Sequence, residues 1–181
     1  MFRVEPSKLS GCYKFNPKVM RDLRGRFVKT FQQTSFESLG LEANFTEEYY
    51  SVSHKNVIRG LHFQAPPMDH VKMVYCLEGQ ALDVVLDLRV GSPTYGEFEM
   101  FELNATNASS IYIPKGMAHG FCALSENTIM AYKASTVYSP ECDSGILWNS
   151  VGIDWPVSEP ILSTRDQSFD ELAEFSSPFS I

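Results

Sequence analysis

The chain has 181 residues, of which 44% are hydrophobic and 20% are charged, and its formal net charge is −7. This length is enough for one domain with a sizeable core. The acidic balance argues against a nucleic-acid partner, which requires a basic surface. It does not exclude a small anionic ligand, because a few arginines and lysines can gather locally.

Cysteine usage and the amino terminus indicate a compartment. The four cysteines are Cys12, Cys76, Cys122 and Cys142, and none forms a C-x-x-C pair. We therefore expect neither a structural zinc site nor a disulfide framework. The segment from Met1 to Pro6 has no apolar signal-peptide core, and no apolar run long enough to span a bilayer follows it. These features predict a cytoplasmic protein without a membrane partner.

Taken in chain order, the predicted elements are mostly short strands. A capping-box pattern over Thr34 to Glu37 predicts a first short helix. Seven strands are then predicted between turn residues, near 57–64, 71–78, 80–89, 97–103, 110–113, 119–124 and 128–135. A second capping box, Ser168 to Glu171, predicts another short helix. This spacing favours an antiparallel sandwich or barrel, because no crossover helices for a parallel sheet are visible.

Two of these strands have one apolar face and one face with isolated charges. In 80–89 the second face carries Asp83 and Asp87, and in 71–78 it carries Lys72. The simpler interpretation, which the strands alone favour, places these charges in solvent. In the other, the charged faces line a ligand cavity and the apolar faces pack against a second sheet or subunit, because exposed they would form a large apolar patch.

A metal centre is the first candidate for the histidines in apolar contexts. The spacing Pro114-x-Gly116-x-x-His119 matches the second half of the metal motif of cupin barrels. The first half of that motif supplies a His-x-His pair and a glutamate, whereas this chain reads His62-Phe63-Gln64. Two histidines are too few for the usual three protein ligands, so we expect a metal-free site.

Ordered motifs run through most of the chain. They are Asp22-x-Arg24-Gly25, Val57 to Gln64, Lys72, Asp83 to Arg89, Gly91 to Gly96, Ile113 to Phe121, Tyr132-Lys133-Ala134, Tyr138-Ser139-Pro140, Ile146 to Asn149, Trp155-Pro156 and Leu162 to Asp166. Each is weak alone. Together, in this order and spacing, they make the chain similar to the dTDP-4-dehydrorhamnose 3,5-epimerase family of cupin-like jelly rolls.

The resemblance implies both a fold and an activity. The fold is an all-β, cupin-like antiparallel jelly-roll barrel with about two short helices, formed as one domain over 1–181. Its parts are N-terminal strands and a short helix (1–45), the barrel (46–148) and a C-terminal segment (149–181). The activity is that of an isomerase inverting C3, C5 or both of a nucleotide-linked 4-keto-6-deoxyhexose of the dTDP type. No organic cofactor or metal is expected, and the expected assembly is a homodimer.

Matching positions assign the proton transfers of that reaction. His62 corresponds to the base and Asp166 to the acid that orients it, while Tyr132 would return a proton to the opposite face of the sugar. A lone histidine in a strand is usually a satisfied core residue, and the motif around His62 is what reverses that expectation. Imidazole is suited to the task because its pKa lies close to neutrality.

A base alone does not suffice for this chemistry. The hydrogen beside a ketone is less acidic than imidazolium by roughly a dozen pKa units, a mismatch on the order of 16 kcal/mol. Positive charge and hydrogen-bond donors are needed at the C4 oxygen as the enolate forms. By position Lys72 supplies that charge, with His119 as a further donor, and Asp83 would anchor one of the two.

The resemblance also implies a set of substrate contacts. Arg24 and Arg59 correspond to clamps on the pyrophosphate, for which the guanidinium fork is suited. The other contacts implied by position are Phe27, Lys29, Glu47, Tyr49, Gln64, Tyr138, Asp143 and Arg165. Because Arg59 and His62 are three residues apart, an ideal strand points them to opposite faces. A bulge between them would reconcile the two roles.

The chain departs from the family pattern at the positions that read the base. The usual run Phe-Phe-Phe-Glu is Arg26-Phe27-Val28-Lys29 here, and the usual Gln-x-Asn is Glu47-Glu48-Tyr49. Lys29 therefore offers a donor where the family offers an acceptor. Because N3 of thymine donates a hydrogen bond and N3 of cytosine accepts one, our hypothesis is that the nucleotide is not dTDP, with CDP as the next candidate.

Other functions fit parts of the same pattern. The nearest alternative is a 3,4-ketoisomerase of the same superfamily, which moves the carbonyl through an enediol. A non-catalytic sugar-binding cupin is an alternative from another class, but it would not need the set of His62, Lys72, Tyr132 and Asp166. A metal-dependent cupin oxygenase ranks last, because the metal motif is incomplete.

Overall fold

The computed structural model describes residues 2–181, which form thirteen strands and one short helix. The strands are β1 (Phe2–Pro6), β2 (Tyr13–Pro17), β3 (Val19–Asp22), β4 (Gly25–Val28), β5 (Glu47–Ser53), β6 (Ile58–Gln64), β7 (Lys72–Glu78), β8 (Gln80–Asp87), β9 (Phe98–Asn104), β10 (Ser110–Ile113), β11 (Met117–Ala123), β12 (Thr128–Ala134) and β13 (Asp143–Gly145). The helix α1 spans Gln33–Glu37. All seven strands predicted from periodicity are present, with bounds within three residues of those expected.

Two antiparallel sheets face each other. One has six strands in the order β1-β2-β10-β7-β12-β5, and the other has five in the order β13-β6-β11-β8-β9. Strands β3 and β4 form a separate two-stranded hairpin. Every ladder between named strands is antiparallel, which confirms the all-β prediction. Apolar side chains from both sheets, such as Val74, Val85 and Phe121, meet between them in one cluster.

The charged faces of β7 and β8 point into the barrel. Lys72 and Asp83 are both buried there, so the interpretation that placed them in solvent is wrong. Other segments of the same chain pack on the apolar faces of these strands. The C-terminal segment packs on the face of β8 that carries Val84 and Leu86, through residues such as Trp155. This apolar face therefore gives no argument for a dimer.

An aromatic cluster from the N-terminal part of the chain covers the outside of the six-stranded sheet. Phe36 of α1 stacks on Phe15 of β2, with ring centroids 4.5 Å apart. Met73 and Tyr75 of β7 pack into the same cluster. The outer face of each sheet is thus packed against other segments of the same chain, and the polar cavity lies between the two sheets.

The two capping-box predictions failed in different ways. A helix is present at the first position, but its N-cap is Gln32 and no side chain caps it. The second predicted helix is wrong, since Ser168 to Phe175 forms turns. The Ser168 hydroxyl donates to the carbonyl of Arg165 instead of accepting a hydrogen bond from a backbone N–H. Phe175 packs against Phe63 of the sheet, and this tertiary contact replaces helical structure.

Two features that bear on earlier expectations are absent from residues 2–181. No helix in this range is long and apolar enough to cross a membrane. The same residues contain no group of three histidine, cysteine or acidic side chains arranged to hold a metal ion. The four cysteines are unpaired thiols.

Candidate active site

A cavity of about 350 Å³ opens between the two sheets. Most of the residues that sequence analysis singled out line this cavity, although they come from distant parts of the chain. Those that line it are His62, Lys72, His119, Tyr132, Glu47, Tyr49, Arg59, Gln64, Tyr138, Asp143 and Arg165. Asp166 and Asp83 lie directly behind the two histidines.

The first of these histidines forms a dyad with a carboxylate from the C-terminal segment. His62 Nε2 and Asp166 Oδ1 are 2.7 Å apart, and Asp166 is buried. Burial lowers the pKa of His62, and although Asp166 opposes this, the imidazole stays neutral near pH 7. With Nε2–H donating to the carboxylate, Nδ1 carries the free lone pair. The dyad therefore provides an oriented neutral base.

A bulge in β6 allows Arg59 and His62 to line the same cavity. Across the β6–β11 ladder His62 pairs with His119 and Arg59 pairs with Phe121, so β6 has one extra residue in this interval. Gly60 lies at the bulge with a φ of +138°, where a Cβ would approach Gly120 Cα to 2.5 Å. Only glycine fits there. The sequence-level conflict between the two roles is thus resolved by backbone geometry.

A second histidine–carboxylate pair lies beside the first. His119 Nε2 and Asp83 Oδ2 are 2.7 Å apart, and both residues are buried. Burial raises the pKa of Asp83, although His119 and then Lys72 oppose the shift. The other carboxylate oxygen, Oδ1, is buried without a hydrogen-bond partner in the described part of the chain. The pair brings a second imidazole to the cavity, held in a fixed orientation.

Lys72 places an ammonium group in the cavity without a carboxylate partner. The salt bridges among residues 2–181 do not include it. Burial lowers its pKa to about 8, with Asp143 opposing the shift. A buried cation with no counter-ion is costly, and a site that keeps one is suited to an anionic ligand or to charge that develops in a reaction.

Tyr132 faces these groups from the other sheet. It is buried on β12, its hydroxyl lies 3.3 Å from Ser51 Oγ, and its ring presents an edge contact to His119 at 6.0 Å. Burial raises the pKa of its phenol far above the ordinary value, so the hydroxyl keeps its proton. A neutral donor therefore lies opposite the His62 base, across the cavity.

The predicted contacts near the cavity mouth form a polar network. Arg165 pairs with Asp143 at 2.8 Å, and the Tyr138 hydroxyl lies 3.2 Å from the same carboxylate. Glu47 accepts a hydrogen bond from the backbone N–H of Tyr138 at 2.6 Å. Gln64 accepts another from the Ser139 N–H and donates to two carbonyls, so its amide is committed to the loop.

Comparison with known proteins decides the family. A protein-family profile described as dTDP-4-dehydrorhamnose 3,5-epimerase matches residues 6–174. The chain belongs to this family. The resemblance read from its motifs is therefore confirmed, and its members are epimerases, an isomerase class.

Relatives in this epimerase family match over nearly their whole length. The dTDP-4-dehydrorhamnose 3,5-epimerase of Methanothermobacter thermautotrophicus is 41% identical over 178 residues, which is 96% of each chain. The crystal structure of a dTDP-6-deoxy-D-glucose-3,5-epimerase from Legionella pneumophila, in complex with dTDP-4-keto-L-rhamnose, has a TM-score of 0.95 at 34% identity and full coverage of both chains. A 3'-monoepimerase from Streptomyces bikiniensis has a TM-score of 0.88 at 31% identity, covering 93% of this chain and 87% of its own.

Three of the contacts expected for an epimerase of this family are not made within one chain. Arg24 and Phe27 lie on the β3–β4 hairpin and Lys29 follows it, and none lines the cavity. Arg24 pairs with Asp22 on the surface at 2.6 Å. Phe27 and Leu23 of the hairpin are exposed to solvent. Their assignment to substrate binding therefore stays a prediction, and within one chain they lie outside the cavity.

Sequence reasoning missed several residues of the epimerase site. Ser51 contacts the Tyr132 hydroxyl, Phe169 packs edge-on against the His62 ring at 5.8 Å, and the Ser163 hydroxyl accepts the N–H of Asp166. His70 also lines the cavity, and burial lowers its pKa to about 3. Serine and phenylalanine at these positions carry no distinctive signal, and the polar sequence neighbours of His70 indicate an exposed side chain rather than one that lines a cavity.

Proposed function

We propose that this protein inverts C3, C5 or both of a dTDP-linked 4-keto-6-deoxyhexose, by removing a proton beside the ketone and returning one to the opposite face. One observation carries the proposal. The oriented base His62 and the protonated phenol of Tyr132 come from opposite sheets and face one cavity, beside the unpaired ammonium of Lys72. The substrates named for the relatives support the same chemistry.

The first step transfers a carbon-bound proton to His62. Nδ1 takes the proton, and the electrons of the broken C–H bond move into the C3–C4 or C4–C5 bond and onto the C4 oxygen. The imidazolium that forms is stabilised by Asp166, which is 2.7 Å away and accepts from Nε2–H. General base catalysis of this kind contributes about 10² to 10⁴ in rate.

Stabilisation of the enolate is the second requirement. We assign it to Lys72, whose ammonium has no counter-ion in the described chain, and to His119 as an additional hydrogen-bond donor through Nδ1–H. In that tautomer Nε2 accepts from the protonated Asp83, in line with the pKa of this carboxyl, which burial raises. Because Lys72 and His119 are buried, they act more strongly on developing charge than they would in bulk solvent. The polar network at the mouth, which includes Arg165, would hold the nucleotide end of the substrate.

Return of the proton completes the inversion. Tyr132 donates its hydroxyl proton to the carbon on the face turned away from His62, and the enolate electrons form the new C–H bond. Because His62 lies on the five-stranded sheet and Tyr132 on the six-stranded sheet, the two transfers use opposite faces of the ring. His62 then loses a proton to solvent and Tyr132 regains one, which restores the starting state.

We also propose a homodimer in which the β3–β4 hairpin of one copy covers the cavity of the other. The hairpin exposes Leu23 and Phe27. The segment 18–29 carries five of the fifteen basic residues of a chain whose net charge is −7. A second copy of this acidic chain therefore fits the hairpin by charge and by apolar surface, and would bring Arg24 to the substrate.

The remaining expectations about location and partners also stay proposals. Four unpaired thiols suit a reducing cytoplasm. The nucleotide sugar is the only ligand that the proposed reaction needs, so we propose no organic cofactor, metal, nucleic acid or membrane as a partner.

The reaction is tested by incubating the protein with a dTDP-linked 4-keto-6-deoxyhexose in D₂O and following the sugar by NMR. We expect deuterium at C3, C5 or both, with inversion. His62→Ala should lower exchange at least 100-fold, because it removes the base of the proposed first step. Tyr132→Phe should keep exchange but lose inversion. Equal loss of both in Tyr132→Phe would contradict its role, and a carbonyl moved from C4 to C3 would indicate the ketoisomerase alternative.

The pH dependence of the rate follows from the shifted pKa values. The Lys72 ammonium is needed in its charged form, and its pKa is about 8, so kcat/KM should fall above pH 8 by about tenfold per pH unit. The acid limb should lie below the ordinary histidine pKa, because the pKa of His62 is lowered. Lys72→Arg should remove the basic limb, since arginine stays charged. A basic limb unchanged in that variant would show that another group titrates.

The shared site of the proposed dimer predicts complementation. His62→Ala should be inactive, and Arg24→Ala/Phe27→Ala should be strongly impaired. Co-expressed, the two chains give about one half heterodimers, and each heterodimer has one unimpaired site of two, so about a quarter of wild-type activity should return. The control pair, His62→Ala with Lys72→Met, places both defects in the same cavity and should recover nothing. Recovery in both pairs, or in neither, would refute the proposed arrangement.

Nucleotide preference is measured by titrating the protein with dTDP and with CDP. The relatives named above are named for dTDP sugars, and we expect dTDP to bind more tightly by at least tenfold. That result would retire the hypothesis drawn from Lys29, whereas tighter CDP binding would support it. Lys29→Glu is the matched variant, because it replaces a donor with an acceptor and should shift the ratio towards dTDP.

A further inference from the structure

The edge strand β5 holds the Tyr132 side chain at two points. Tyr49 lies directly opposite Tyr132 in the β5–β12 register, and their rings stack with centroids 4.7 Å apart and planes 14° from parallel. Two residues further along the same strand, Ser51 Oγ is 3.3 Å from the Tyr132 hydroxyl. One strand thus contacts both the face of the ring and its hydroxyl.

The ring of Tyr132 is consequently confined on two sides. Tyr49 covers one face, and His119 lies at the other side with its ring at 72° and a centroid distance of 6.0 Å. A stacked and an edge contact together oppose rotation of the phenol ring about its side-chain bonds. The position of the hydroxyl oxygen in the cavity therefore depends on the stack with Tyr49.

Ser51 Oγ lies within hydrogen-bond distance of the phenol oxygen, and either hydroxyl can be the donor. If the Ser51 hydroxyl donates to the phenol oxygen, the Tyr132 O–H is left free to point into the cavity. The backbone at Ser51 is fixed by its pairing with Met130 of β12, so the donor stays in place. The strand that stacks the ring thereby also keeps the proton available for transfer.

We propose that Tyr49 is a positioning residue, which through its stack on Tyr132 determines how efficiently deprotonation is coupled to inversion and at which carbon. This inference rests on the proposed role of Tyr132 as proton donor. C3 and C5 both adjoin C4, so a small displacement of the phenol changes which of them it reaches. Misplacement of a reacting group by about 1 Å can cost on the order of 100-fold in rate.

The location of Tyr49 makes this role separable from stability. β5 is the outermost strand of its sheet, and 42% of Tyr49 is exposed, so the stack adds little to the core. His62, Asp166 and Lys72 belong to other strands and segments and do not depend on β5 for their contacts. Loss of the stack should therefore lower the rate of inversion more than the rate of deprotonation.

The experiment compares Tyr49→Ala, which removes the stack, with Tyr49→Phe, which retains it. Each is incubated at saturating substrate in D₂O, and NMR gives the rates of deuterium uptake and of inversion at C3 and at C5. In Tyr49→Ala we expect an inversion-to-uptake ratio at least tenfold lower than that of wild type, a ratio that weaker substrate binding alone would not change. Tyr49→Phe should keep the wild-type ratio. Ser51→Ala, in which the second contact is lost, should lower the ratio as well.

The outcomes for the variants test the role of Tyr49, whereas the outcome for the wild-type protein tests the proposed reaction. An inversion-to-uptake ratio in Tyr49→Ala equal to that of wild type would overturn the inference. If uptake and inversion both fell to the same extent, Tyr49 would act in substrate binding instead. If Tyr49→Ala does not fold, Ser51→Ala decides by the same ratio. Absence of uptake in the wild-type protein would instead refute the proposed reaction itself.

Discussion

The close approach of β6 and β11 at Gly60 is the constraint on which the site depends. A Cβ at residue 60 would lie 2.5 Å from Gly120 Cα, and one at residue 120 would lie 2.8 Å from the carbonyl oxygen of Arg59. The extra residue that this contact permits turns Arg59 and His62 to the same side of the strand. The N–H of Gly60 also donates to Asp166 at 3.3 Å, so the bulge helps to anchor the carboxylate that orients the base.

Ionisable side chains inside this barrel are unusual for a two-sheet core, and the structure accommodates each in a different way. His62 and His119 are each paired with a carboxylate at 2.7 Å. Asp83 is satisfied at one oxygen only. Among residues 2–181, Lys72 has no salt-bridge partner, and its burial costs free energy that a ligand with negative charge would offset. Such uncompensated polarity is typical of a site prepared for a reaction rather than of a core optimised for stability.

The strands that sequence analysis found are those whose pattern is set by the core. β7 and β8 alternate because one face packs on apolar segments, and their bounds were close to those predicted. β5 was not predicted because neither of its faces is apolar. Its inward residues, Glu47, Tyr49 and Ser51, line the cavity, and its outward residues are largely exposed to solvent. A strand that serves the site thus loses the periodicity by which strands are recognised.

The remaining errors have a different physical origin. The C-terminal segment contains apolar residues that cover β6 and β8, and these contacts replace the helix that local capping signals suggested. Sequence analysis also did not anticipate the position of the hairpin, since no property of the sequence indicates that Arg24 and Phe27 lie outside the cavity of their own chain. Motifs indicate which residues belong together, but they do not give the positions of those residues in the fold.

In the proposed mechanism, inversion follows from the placement of His62 and Tyr132 on different sheets. The ladder that joins His62 to His119 fixes one wall, and the ladder that joins Tyr132 to Tyr49 fixes the other. The same fold occurs in a relative named as a 3,5-epimerase and in one named as a monoepimerase, so sheet topology does not decide how many centres are inverted. We therefore assign the number of inverted centres to local contacts around Tyr132. Because β12 is next to the edge strand β5, substitutions in β5 can change these contacts with little effect on the core.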